Sequence, residues 1–292
     1  MNSLKILVTG AAGQLGNELR SILEERMPGQ TVYVDLPQAD LTSRELAEDL
    51  LRQGGFTHVV NCAAYTSVDR AEEEKLQCKE VNEGIVSNLA RIADELGTRI
   101  IHISTDYVFD GNTCRPYTES DKPEPLSVYG ATKRKSETIL LGLAPNSMVL
   151  RTGWLYSPHG HNFMKTVLSL AEKKDRIGIV ADQTGTPTYA RDLASAIVSI
   201  LESNHWVPGV FHFANEGVAT WYDFAVAILE EAGMPEKAAV VAPISTADYP
   251  CAAARPHYSV LDKSRFKATF GITIPHWRDG LRRCMAEMAA IN

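Results

Sequence analysis

The chain has 292 residues, 45% hydrophobic and 22% charged, with a formal net charge of -7 and a pI near 5.7. This is ordinary globular composition with enough chain for a large core and two domains, and the acidic balance argues against a nucleic-acid-binding face. No stretch approaches the roughly 20 apolar residues of a membrane span, and the five cysteines (Cys62, Cys78, Cys114, Cys251 and Cys284) include no C-x-x-C pair, so reduced thiols in a cytoplasmic protein are expected rather than a disulfide frame or a cysteine zinc site.

In chain order, residues 4–10 (LKILVTG) read as a short buried strand ending in Gly10, and residues 14–27 carry Leu15, Leu19, Ile22 and Leu23 at helical spacing. A second strand is predicted over 31–35, a helix over 43–53 stopped by Gly54 and Gly55, and a third strand over 57–64. A long helix over 76–97, a fourth strand over 98–105, a helix near 129–143 and a fifth strand over 147–156 follow. Strands that alternate with helices need crossover connections, so the fold class is α/β, a Rossmann-type doubly wound parallel sheet. Beyond residue 153 the alternation weakens. Residues 207–215 read as a strand. Residues 220–233 read as a helix capped by Thr220, with Phe224, Ala227, Ile228 and Leu229 on one side, and 276–291 as a terminal helix. A dinucleotide-binding domain over 1–153, with some later segments free to rejoin it, and a smaller C-terminal substrate-binding lobe mainly over 154–292 are expected.

Ligands of such sheets sit at the carboxyl ends of the strands. Gly10, Gly13 and Gly16 occupy the first such end in a G-x-x-G-x-x-G pattern between strand and helix. Gly10 suits the tight exit, Gly13 leaves room for a pyrophosphate, Gly16 lets the helix pack on the sheet, and Gln14 and Leu15 open the helix whose free amides would face the cofactor. Asp35 ends the second strand, 19 positions after Gly16. A carboxylate there can accept from both adenine-ribose hydroxyls and would repel a 2′-phosphate, so of NADH and NADPH it favours NADH. Asn61, Ala63 and Ala64 end the third strand, where backbone amides can run beside the cofactor, and Tyr65 and Thr66 follow as candidate contacts to its nicotinamide half.

Tyr129 and Lys133, in YGATK, stand at i and i+4 on one helix face, and Ser104 and Thr105 end the fourth strand at the same rim. With GAAGQLG (10–16), NCAA (61–64) and STDYVFDG (104–111), this pattern resembles the extended branch of the short-chain dehydrogenase/reductase superfamily. NCAAYTSVDRAE (61–72), PLSVYGATK, LRTGWLYSPHGHNF (150–163), DQTGTPTYARDLA (182–194) and ARPHYSVLD (254–262) narrow it: nearly the whole chain is similar to the dTDP-4-dehydrorhamnose reductase family. The resemblance implies NAD(P)H-dependent reduction of the 4-keto group of a nucleotide-diphospho-sugar, dTDP-4-dehydrorhamnose, to dTDP-L-rhamnose.

The residues suit that chemistry. A ketone that accepts a hydride develops negative charge on oxygen and needs a proton donor. Tyr129 is the expected donor, with the Lys133 ammonium drawing its pKa toward neutrality and holding the nicotinamide ribose. Strand alternation turns Ser104 to the opposite face, so Thr105 is the hydroxyl expected to orient the carbonyl. Asp106 and Tyr107, and an aromatic wall at Trp154, are candidate sugar contacts by resemblance. Arg191 and Arg255 are candidates for the substrate diphosphate, because guanidinium binds phosphate oxygens in pairs. His159 and His161 form an HGH loop too weak to assign a metal. Two other readings stay open: an extended-branch epimerase or dehydratase on a nucleotide-sugar, and a non-catalytic dinucleotide-binding regulatory subunit related to a methionine adenosyltransferase regulator. A homodimer is compatible with the resemblance.

Overall fold

The computed structural model of the chain describes residues 4–203 and 205–291. Its centre is a six-stranded parallel sheet built from β1 (Ile6–Thr9), β2 (Thr31–Val34), β3 (His58–Asn61), β4 (Arg99–Thr105), β5 (Met148–Thr152) and β6 (Gly209–His212), in the order β6-β5-β4-β3-β1-β2. The inner strands are apolar on both faces because helices cover both. Ile6 and Val8 pack with Leu19 and Leu23 of α1 (Gln14–Arg26) on one face, while Leu7 between them packs with residues of α2 (Arg44–Gly54) and α3 (Ile85–Leu96) on the other. The edge strand β2 alone alternates with exposed positions.

Three elements differ from their sequence reading. The helix expected over 76–97 has two α-helical parts, Lys75–Lys79 and Ile85–Leu96, joined by a π turn over Glu80–Gly84. The turn directs Asn82 inward, where its Oδ1 accepts from the Tyr65 amide at 2.8 Å and its Nδ2 donates to Thr132 at 3.0 Å. The strand expected over 147–156 stops at Thr152 because Trp154 adopts a left-handed backbone (φ 50°); Leu155–Tyr156 then pairs with Thr188–Tyr189 instead. The strand expected within 207–215 does not join the lobe: as β6 it pairs parallel with β5 in the main sheet. Helix Ala190–Glu202 likewise joins the first layer, with Leu193, Ile197 and Leu201 packed into the core of α1. The chain therefore returns to the first layer after the expected boundary at 153, burying Ile197 and Phe211 in the core shared with α1.

What remains over the sheet's open side has its own core. Tyr156, Met164, Phe224, Ile228, Trp277 and Leu281 meet there between helices Phe163–Lys173, Trp221–Glu231 and Trp277–Ile291. Thr220 and Asp223 form a reciprocal capping box at the start of the second of these helices. Among the described residues no helix is long and apolar enough to cross a membrane.

Candidate active site

A cleft of about 690 Å³ opens at the carboxyl ends of β1 to β5. Its floor begins with the glycine loop. Gly10 has φ 64°, and a Cβ there would lie 2.6 Å from the Ala63 amide nitrogen, so this exit from β1 excludes any side chain. The loop ends at Gly13, the N-cap of α1, and no side chain caps the helix, so the cleft meets free N–H groups. Gln14, Leu15 and Gly16 line the cleft beside it. Asp35 stands at the far end, with one carboxylate oxygen accepting from the Ala12 amide at 2.7 Å and the other from the Leu36 amide at 2.9 Å.

The third strand end divides. Ala63 and Ala64 line the cleft, but Asn61 and Tyr65 do not. Asn61 is opposite Thr9 in the sheet register, so its side chain meets that hydroxyl (2.6 Å) and His102 Nδ1 (3.0 Å) in the interior. The Tyr65 hydroxyl donates to Glu74, away from the cleft. Neither side chain occupies the cofactor position expected of it. Cys62, within the same motif, and Thr66 line the cleft as well.

Tyr129 lies in the first turn of α4 (Val128–Leu143), which Ser127 caps by accepting from the Gly130 amide at 3.2 Å. A Cβ on Gly130 would lie 2.2 Å from the Tyr107 carbonyl oxygen, so a glycine between the tyrosine and the lysine lets α4 start against the end of β4. One turn on, Lys133 is buried; its Nζ donates to the Ile103 carbonyl at 2.6 Å and lies 3.2 Å from His102 Nε2. Thr105 accepts from the Tyr107 amide (3.1 Å), donates to Asp106 (3.1 Å), and lies beside the Tyr129 phenol on the cleft wall. The Ser104 hydroxyl donates to Glu137 at 2.6 Å.

The electrostatics depart from the sequence reading in one respect. Burial pushes the Tyr129 phenol up to about 12, with the neighbouring Thr105 hydroxyl acting in the opposite direction. The Lys133 ammonium does not draw it down: burial pushes Lys133 itself down to about 8, and its N–H groups face a carbonyl and an imidazole. Tyr129 therefore keeps its proton throughout the neutral range. Burial likewise raises the Asp106 carboxyl to about 6, beside Thr105 on the cleft wall.

The opposite wall is aromatic. Trp154 stacks on Trp221 with ring centroids 3.5 Å apart, and both line the cleft; Tyr107 meets Tyr129 edge-on at 5.9 Å. The sequence showed Trp221 only as the first residue of a capped helix. Arg191 and Arg255 are outside the cleft lining. Arg191 pairs with Glu18 (3.4 Å) and Glu287 (3.2 Å), and Arg255 forks onto Asp69 at 3.1 and 2.6 Å. Their acidic partners are up to 173 and 186 positions away in sequence, which is why neither pairing could be read from it. Of the HGH loop, His161 lines the cleft, whereas ligand atoms of His159, Glu18 and Glu287 lie within 4.8 Å of one another beside Arg191, whose guanidinium supplies local positive charge. Asn162 ties this loop to the first turn of α1 by donating to Gln14 Oε1 at 3.0 Å.

Comparison with known proteins gives concordant matches. The RmlD substrate binding domain family matches residues 4–290. A dTDP-4-dehydrorhamnose reductase of Aggregatibacter actinomycetemcomitans is 40% identical over 289 residues, 97% of this chain and 98% of the relative. Among solved structures, a dTDP-4-dehydrorhamnose reductase from Clostridium acetobutylicum superposes with a TM-score of 0.92 at 36% identity, covering 98% of this chain and 100% of its own. The corresponding reductase from Bacillus anthracis, in complex with NADP, has a TM-score of 0.91 at 34% identity, with 97% and 99% covered.

Proposed function

The chain belongs to the dTDP-4-dehydrorhamnose reductase family, and on that premise we propose that it reduces the 4-keto group of dTDP-4-dehydrorhamnose to dTDP-L-rhamnose with a nicotinamide dinucleotide. The observation that carries the reading is the meeting of Tyr129 and Thr105, with Lys133 beneath them, on the wall of the cleft that begins at the glycine loop. The residues present fit the dinucleotide: Gly10 leaves a cradle that a Cβ would fill, α1 offers uncapped amides to a pyrophosphate, and Asp35 offers acceptors to a ribose.

When bound, the reduced nicotinamide supplies a hydride. Tyr129 supplies the proton that completes the alcohol, because its phenol stays protonated and its ring borders the cleft. Thr105 hydrogen-bonds the ketone oxygen and fixes its direction. Lys133 holds the nicotinamide ribose with the N–H not engaged by the protein. Asp106, Tyr107 and Trp154 form the wall against the sugar, and the lobe built on helices Phe163–Lys173 and Trp221–Glu231 covers it from water. Cofactor choice follows from charge: Asp35 offers a carboxylate at the far end of the cleft, and Lys133, at the nicotinamide end, is the only lysine or arginine lining the cleft among the described residues. NADH is the preferred donor over NADPH. Incubating the chain with dTDP-4-dehydrorhamnose and each reduced dinucleotide, and following loss of reduced nicotinamide absorbance, tests both points. No oxidation with either donor removes the reaction; a higher kcat/KM with NADPH removes the role of Asp35.

A further inference from the structure

One buried titratable group stands against the site without a part in this mechanism. His102 is 1% exposed on β4, directly under Lys133. We infer that His102 is a positioning residue for Lys133: its Nε2, 3.2 Å from Nζ, accepts a hydrogen bond from the ammonium and, with the Ile103 carbonyl at 2.6 Å, leaves the third N–H free for the cleft.

The donor inventory requires this direction. A lysine ammonium carries three donors and no acceptor, so an imidazole nitrogen facing it at that distance must accept. Nδ1 then carries the ring proton. The Asn61 amide lies 3.0 Å away with its nitrogen toward Nδ1 and its oxygen accepting from the Thr9 hydroxyl at 2.6 Å; pairing with the ring proton turns that amide end for end, so that its oxygen faces Nδ1 and its nitrogen faces Thr9. Ser136, also 3.0 Å from Nε2, donates its hydroxyl to the Lys133 carbonyl at 2.7 Å and so leaves the Nε2 lone pair to the ammonium. Thr9, Asn61, His102 and Lys133 thereby form one buried chain from β1 through β3 and β4 to α4. It gives Asn61 a purpose two steps from the cofactor rather than against it.

The imidazole has no rival for this task. The other groups facing Lys133 are Glu137 on its own helix, Cys62 after β3 and Cys78 on the helix before the π turn. Glu137 is held by Arg151 at 2.7 and 2.8 Å, and burial keeps both thiols above their usual range and so uncharged near neutrality. His102, which burial and Lys133 hold neutral, is the acceptor that supports the ammonium without adding a charge. Removing that acceptor lowers the Lys133 pKa below its value of about 8.

The inference rests on the proposed reaction only for its purpose. Its test is independent: the Lys133 titration is followed by NMR of lysine labelled at Cε in the wild-type chain, His102→Leu and His102→Gln, without dinucleotide. The midpoint falls by about one pH unit in His102→Leu, tenfold in the proton equilibrium. It returns at least halfway in His102→Gln, whose Oε1 reaches Nζ. NADH affinity, read by fluorescence, weakens with rising pH along the same midpoints. Equal midpoints in wild type and His102→Leu overturn the inference. If the leucine variant does not fold, His102→Gln is compared with His102→Asn, whose shorter amide reaches Asn61 but not Lys133; a common midpoint for those two overturns it equally. Failure of the wild-type chain to bind either dinucleotide would instead overturn the proposed function and leave the NMR result to decide the lysine contact.

Discussion

The rim of the central sheet and the lobe above it both carry polar residues that look functional in the sequence, and they use them in opposite ways. On the rim, Tyr129, Lys133 and Thr105 converge because α4 and β4 are rigid and adjacent; the helix period sets the first two side chains and strand alternation the third. In the later part of the chain, Arg191 and Arg255 turn to Glu18, Glu287 and Asp69. A residue's direction on its own element is a local property. Whether its charge remains free for a ligand depends on what a distant segment brings beside it.

That contrast can be broken most directly at Tyr129. Tyr129→Phe should lower kcat about 10³-fold while the dinucleotide Kd changes less than twofold, because it removes a proton donor and little binding surface; wild-type turnover in that variant would empty the rim of its acid. On the Arg191 side, Glu18 is fully buried, and burial, opposed by Arg191, pushes its carboxyl from 4.5 up to about 7. The folded chain therefore holds this proton more tightly than the unfolded chain. Glu18 stabilises the fold below pH 4.5, and that contribution is lost as pH rises through 7. Glu18→Gln should remove this slope and be more stable at pH 8 by about 1–3 kcal/mol in urea denaturation. A variant less stable than wild type at pH 8 would show that the carboxylate pairs with Arg191 favourably.

Asp35→Asn should shift the NADH-to-NADPH ratio of kcat/KM about tenfold toward NADPH, roughly 1.4 kcal/mol; an unchanged ratio would assign cofactor choice elsewhere. The smallest effect is expected at the other arginine. Asp69 is 45% exposed, so Arg255→Ala should cost less than about 1 kcal/mol in stability and change the sugar-nucleotide KM less than threefold. A tenfold rise in KM would return Arg255 to the diphosphate role that its sequence suggested.

Legibility followed the range of the interactions. The strand–helix alternation, the glycine loop and the YGATK face depend on neighbours within a few residues. The π turn did not show in the sequence because Glu80–Gly84 has no composition that separates it from α-helix; its reason is Asn82 reaching Tyr65 and Thr132. β6 read correctly as an element but was not assigned to the first sheet, since apolar periodicity reports that a surface is buried and not against what. Trp221 was invisible as a cleft residue until its ring stacked on Trp154.

By itself, the sequence determined the α/β class, the succession of the first five strands along the chain, and that one side of α4 carries both the phenol and the amine, because backbone periodicity and glycine freedom act locally. Tertiary structure alone decided the protonation balance of Tyr129 and Lys133, the withdrawal of Asn61 and both arginines from the cleft, and the return of β6 to the sheet. Burial and charge pairing are sums over neighbours that the chain gathers only on folding.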